Sequence, residues 1–194
     1  SFYFKGTLNG ADISWLVPSH KNESSFTYHA GASLGHTDFS SECLNGYCYY
    51  VNVSTEIKTN VANINPHIAV SINMAVPAYT REIALSWFVP GPKTYPTSVR
   101  THDKPDLLDP AKNGVVVYYV DQNGTSWSSN RGSQQGSSFE SISFNNEPRT
   151  DVAHEKVWKA KFSCTLYSNA GNSIKVENAE IYGPILLPKG GNSK

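Results

Sequence analysis

Apolar and polar residues alternate with a period of two over most of this chain, the spacing of β-strands that bury one face. Phe2, Phe4, Gly6 and Leu8 share one face of a first predicted strand, and after Asn9-Gly10 the residues Ile13, Trp15 and Val17 share one face of a second. Phe26 to Ala32 and Cys48 to Val53 read as further strands. From His67 to Met74 the pattern sets Ile68, Val70, Ile72 and Met74 against His67, Ala69, Ser71 and Asn73, and Ile83, Leu85, Trp87 and Val89 repeat it. Val115 to Val120 is almost continuously apolar, as expected of a central strand covered on both sides. In the last hairpin Trp158, Ala160, Phe162, Cys164 and Leu166 point one way, the chain turns at Asn169-Ala170-Gly171-Asn172, and Ile174 and Val176 return. The inward phase then moves to Ala179 and Ile181, which predicts one extra residue, a β-bulge, near Glu177-Asn178.

Four Asn-Gly pairs, at Asn9-Gly10, Asn45-Gly46, Asn113-Gly114 and Asn123-Gly124, lie beside these runs. Asn-Gly tolerates positive φ at both centres of a type I′ turn, so each pair predicts a hairpin. Helical periodicity is absent over any stretch of ten residues, which limits helix to single turns, with Pro105 to Lys112 the best place for one. Two stretches interrupt the strands: Pro90 to Pro110, with five prolines, and Ser128 to Ser138, rich in Ser, Gly and Gln. Loops of that length in a compact domain are functional or disordered. The pattern predicts one all-β domain over residues 1–194, an antiparallel β-sandwich of jelly-roll or immunoglobulin-like kind, with a closed lipocalin-like barrel as the alternative.

Charge narrows the partners. Sixteen basic residues balance sixteen acidic ones, so no global field gathers nucleic acid or anionic lipid. No apolar run approaches the roughly 18 residues that span a bilayer as a helix. Only 16% of residues are charged, and Ser, Thr and Asn are plentiful, a composition that suits an extracytoplasmic β-protein. The cysteines point the same way. A two-residue turn at Asn45-Gly46 sets Cys43 opposite Cys48 as a non-hydrogen-bonded pair, with Cα atoms about 4.5 Å apart, which a disulfide can bridge. A bridge there places the protein in an oxidising compartment, while two reduced thiols in a cytosolic hairpin is the competing reading. Cys164, in phase with Phe162 and Leu166, reads as a buried, inert thiol.

Phe4-x-Gly6-x-Leu8-Asn9-Gly10-x-x-Ile13-x-Trp15 at the start, and Lys161 to Leu166 with Gly171 to Val176 at the end, resemble the ends of secreted or lipid-anchored β-sandwich domains of Bacteroidetes-type bacteria, many of unknown function. The resemblance covers roughly a quarter of the chain and rests on common strand residues. It implies export to the cell envelope and a lipid tether on an N-terminal cysteine. The first residue here is Ser1 rather than that cysteine, so the tether is an expectation of the resemblance alone.

Chemistry leaves few marks. A Gly-x-Ser-x-Gly elbow is absent, and His154-Glu155 lacks the second histidine of a zinc-protease helix. Asp106, Asp109, Glu140 and Glu147 are the carboxylates available for a glycosidase pair, but spacing along the chain does not fix their separation in space. The expectation is a protein that is not an enzyme and needs no cofactor. The loop bearing His102, Asp103, Asp106 and Asp109 is a weak candidate for calcium, off the EF-hand spacing and equally explained as a solvated turn. Sequons at Asn22, Asn52 and Asn123 matter only in a eukaryotic source.

Sugar recognition is the sharper expectation, because an aromatic ring stacks on the apolar face of a pyranose while amides and hydroxyls hydrogen-bond its edge. Trp15, Trp87 and Trp158 alternate in phase with aliphatic residues and read as core. Trp127 lies among Ser126, Ser128, Ser129, Asn130 and Arg131 just past a turn, and Tyr79 and Tyr95 lie in loops. Trp127, Asn130, Arg131, Tyr95 and Tyr79 are therefore the candidate ligand-binding residues, with anchoring of the loops as their competing role. The function these features suggest is a non-catalytic envelope module that binds a glycan. A structural or accessory subunit of an envelope complex and an unassigned hydrolase are the alternatives.

Overall fold

The computed structural model describes residues 1–18, 26–37, 48–59, 66–96, 109–146 and 156–188; for 35–37 and 48 it describes the backbone alone. Eleven strands are seen among them: β1 (Phe2–Leu8), β2 (Ala11–Val17), β3 (Phe26–Thr37), β4 (Cys48–Thr59), β5 (His67–Val76), β6 (Gly91–Pro92), β7 (Gly114–Val120), β8 (Ser126–Ser128), β9 (Ser138–Asn146), β10 (Lys156–Ser168) and β11 (Ser173–Ile185). A six-residue helix, α1 (Arg81–Ser86), is the only α-helix among the described residues. All the strands join one sheet in the order β2-β1-β11-β10-β8-β7-β5-β4-β3, with β9 added to β10 and β6 to β9, and every pairing is antiparallel.

Of the two architectures the pattern allows, the structure lies nearer the barrel. The sheet curls until β2 and β3, the two ends of the strand order, come together through aromatic side chains: Trp15 of β2 stacks on Phe26 of β3, and Phe2 of β1 meets Tyr28 edge-on. The barrel is flattened and filled. Trp158, Phe4, Phe88, Ile57, Ile68 and Leu166 are fully buried in its interior. Where β11 crosses β4, a Cβ on Gly183 would stand 2.0 Å from the Thr55 hydroxyl, so only glycine lets these walls close to that spacing.

Several expectations hold in detail. Asn9 and Gly10 have φ of 48° and 83° and join β1 to β2 with Leu8 opposite Ala11. The bulge is at the predicted place: the β10–β11 register slips between Phe162 and Cys164, and Asn178 takes a φ of 50°. Val115 to Val120 is a central strand, between β5 and β8. Cys164 is buried, and burial pushes its thiol pKa up to about 12, which keeps it protonated and inert.

Other expectations are corrected. Ile83 to Val89 is not a strand. Thr80 caps α1 by accepting the Ile83 amide, Glu82 lies in the first turn, and the inward residues are Ala84 and Phe88, four apart, while Val89 is 51% exposed. A capping threonine with an acid two residues later carries the helix over an ambiguous alternation. Asn113-Gly114 is no hairpin turn either. Asn113 ends a 3-10 turn over Pro110–Lys112, and a Cβ on Gly114 would strike the Thr94 carbonyl at 2.3 Å, so the glycine there admits a neighbouring backbone. The Asn123-Gly124 turn forms, but as a five-residue connection in which Asp121 accepts the amides of Asn123 and Thr125. The Asn45-Gly46 turn, Cys43 and its proposed bridge, Asn22, His102, Asp103, Asp106, Glu147 and His154 lie outside the described residues.

Candidate ligand-binding groove

The Ser128–Ser138 loop fills a fork in the sheet. One edge of β10 pairs with β9 over Lys156–Ser163 and with β8 at Tyr167 and Ser168, leaving the backbone between without a strand partner. Side chains replace that strand. The Gln134 amide donates to the Thr165 carbonyl at 2.6 Å and accepts the Thr165 amide at 3.1 Å, as a peptide group would, and its nitrogen also donates to the Ser129 carbonyl. Arg131 donates to the carbonyls of Tyr167 and Ser126, the Ser129 hydroxyl accepts the Val117 amide, and the Tyr167 ring covers Gly132. Buried backbone groups must find partners, and here the Ser/Gln-rich loop supplies them.

This arrangement locates the five candidate residues. Trp127, Asn130 and Arg131 come together at the fork. Trp127 is half-buried, with its indole N–H donated to Asp121 at 3.1 Å, and Asn130 accepts the Ser128 hydroxyl at 2.7 Å. Tyr95 lies elsewhere, against Phe139, its hydroxyl donating to the Ser138 and Ser163 carbonyls. Burial drives its pKa upward, so it stays a neutral donor. Tyr79 packs beside Tyr49 and donates to the Pro188 carbonyl. Each of these residues spends at least one side-chain polar atom on a hydrogen bond within the fold.

Trp87, assigned to the core by its phase, does pack against it, but is only half-buried. It follows α1 and lines a groove of about 440 Å3 together with Met74, Ser86, Lys93, Thr94 and Asn113. Phe88 is fully buried, stacking on Phe144 and meeting Trp158 edge-on, while Trp87 beside it is half-buried, packed against the core on one side and lining the groove on the other. Its walls are fixed. The Val115 amide donates to the Thr94 carbonyl at 2.9 Å, the Lys93 amide to the Phe139 carbonyl at 2.9 Å, and the Ala75 amide to the Asn113 side chain at 2.9 Å. An apolar cleft of this volume with a few placed polar groups is the usual form of a small-ligand site. Ala84, Trp87 and Phe88 stand at i, i+3 and i+4 on one face of the turn, so Trp87 packs partly against the core while its remaining surface lines the groove.

A third cluster is a closed charge network. On the outer face Lys5, Glu180, Lys161 and Glu140 stand in register across β1, β11, β10 and β9. Glu180, only 6% exposed, accepts the Tyr3 hydroxyl and pairs with Lys159 at 3.2 Å and Lys5 at 3.3 Å. Burial alone would raise its pKa, but the hydrogen bonds from Tyr3, Lys159 and Lys5 outweigh it and hold the carboxyl below its ordinary range. Among the other carboxylates considered, Glu140 is exposed on β9 and Asp109 caps the 3-10 turn through the Ala111 amide. No protein-family model, curated protein or solved structure matches the chain.

Proposed function

We propose that this protein is a non-catalytic extracytoplasmic module of the cell envelope that binds carbohydrate, and that the sugar lies in the groove at Trp87. The observation that carries the reading is the half-buried Trp87 ring, whose indole N–H donates to no described residue, set among the hydroxyls of Ser86 and Thr94 and the Asn113 amide. A ring of this kind stacks on the apolar face of a pyranose while the rim groups meet its hydroxyls. The filled barrel interior favours a surface site over a lipocalin-like internal one. Low charge and the Cys43–Cys48 pattern favour the oxidising compartment.

A glycan array followed by titration of Trp87→Ala tests the site. Binding should disappear while the thermal midpoint stays within a few degrees, because a half-exposed ring at the surface contributes little to the core. Persistent binding in Trp87→Ala would overturn the site, and an array with no positive glycan would overturn the function. Alkylation of the unreduced protein tests the compartment: mass spectrometry should find one modified cysteine, Cys164 after unfolding, and three would remove the bridge. The accessory-subunit reading would be favoured by capture of a partner strand along β2 or β3, the two ends of the strand order among the described residues.

A further inference from the structure

We propose that the groove at Trp87 selects an acidic sugar, a glycan carrying a uronic or sialic acid, with Lys93 holding the carboxylate while the ring lies on the indole. The inference rests on the carbohydrate reading and adds the class of sugar. Among the described residues Lys93 is the one charged residue lining the groove, and no acidic side chain of theirs lines it. Among the described residues no carboxylate lies within ion-pair distance of its ammonium, whereas Lys5, Lys159 and Lys161 all share Glu180. Lys93 is partly buried, and burial lowers its pKa, the mark of an ammonium that has lost water without gaining a counter-ion. Partial desolvation of a cation without a partner is costly, and an anionic ligand relieves that cost where a neutral one does not. The remaining groups of the groove, hydroxyls and an amide beside an indole, suit a sugar ring better than an inorganic anion.

The test uses the full chain and paired probes in titration calorimetry: oligogalacturonate against its methyl ester, and sialyllactose against lactose. The acid of at least one pair should bind about tenfold tighter than its neutral partner, the scale of one charge-assisted hydrogen bond. That preference should shrink as salt rises. Lys93→Gln should erase it and leave the affinity for the neutral partner unchanged, while Lys93→Arg should retain it. The thermal midpoint of Lys93→Gln should equal or exceed that of the parent, since a strained charge is removed. If acid and neutral probes bind alike, if Lys93→Gln keeps the preference, or if its midpoint falls, the inference is overturned while the carbohydrate reading stands. If neither these probes nor any array glycan binds, both fall together.

Discussion

The segments Ser128–Ser138 and Tyr79–Thr94 both interrupt the strands, and they differ in what their largest polar side chains do. In the first, Gln134, Arg131 and Ser129 turn back onto the unpaired backbone of β10 and β7 and satisfy it, so a loop that looks hydrophilic along the chain is a piece of the sheet made from side chains. In the second, Phe88 is fully buried behind a capped helical turn, while Trp87 and Lys93 line a groove in which neither side chain makes a hydrogen bond or ion pair to a described residue. Polarity along the sequence therefore marks the closed region, and the apolar alternation conceals the open one. What distinguishes them is the state of the hydrogen-bonding groups rather than their number.

The largest effect should come from the fully buried ring behind the groove. Phe88→Ala should destabilise the fold by about 3–5 kcal/mol, because its fully buried ring stacks on Phe144 and meets Trp158, and the cavity cannot close against a rigid sheet. Chemical denaturation measures it. A loss under 1 kcal/mol would mean that Trp87 and Phe88 exchange roles and that the groove is not fixed.

Next in size is the side chain that replaces a strand. Gln134→Glu is nearly isosteric, yet a carboxylate cannot donate to the Ser129 and Thr165 carbonyls, so the change should cost about 2–3 kcal/mol from unsatisfied acceptors facing a charge. Gln134→Ala should cost a similar amount for the same reason. Unchanged stability in both would return the loop to the list of candidate binding surfaces.

Much of the fold is legible because burial on one face imposes a two-residue period. The phase break at Ala179 announced the bulge before its geometry was known, and Asn9-Gly10 announced its turn. The errors arise where two periods fit one string. Ile83, Leu85, Trp87 and Val89 satisfy a strand, while Thr80, Glu82, Ala84 and Phe88 satisfy a cap, a dipole and a helical face, and local hydrogen bonding decided the matter. The fork was not legible because it depends on which strands share an edge of β10, a long-range fact that no local pattern contains. Trp127 suffers from the same gap: its indole donates to Asp121 across the turn, while the polar residues that flank it, Ser126, Ser128, Asn130 and Arg131, engage each other.

Glu180 offers a test of a closed network by titration. Its folded pKa lies below the ordinary value of 4.5, so it contributes stability that is complete above about pH 4.5 and is lost as pH falls through the lower, folded value, where a proton removes the acceptor from Tyr3, Lys159 and Lys5. The loss should be about 1–2 kcal/mol, held down by the exposure of the lysines. In Glu180→Gln the stability at neutral pH should fall by that amount, and the slope of stability between pH 4.5 and pH 2.5 should flatten relative to the parent. An unaltered slope would show that other carboxylates carry the acid sensitivity.

The smallest effects come from making one change, tryptophan to phenylalanine, in both regions. Trp127→Phe keeps an aromatic ring but deletes the N–H donated to Asp121, a residue that also holds the Asn123 and Thr125 amides. Stability should fall by about 1 kcal/mol, the usual contribution of a partly exposed hydrogen bond to a charged acceptor, and glycan affinity should not move. Trp87→Phe deletes an N–H that donates to no described residue, so the thermal midpoint should be unchanged within error. Its smaller ring covers less of a pyranose, however, and affinity should weaken by a few-fold, or about 1 kcal/mol. Each substitution thus moves one measurement and spares the other. If instead Trp127→Phe weakens binding at constant stability, the sugar lies at the fork, and the groove beside Trp87 is the structural site of the two.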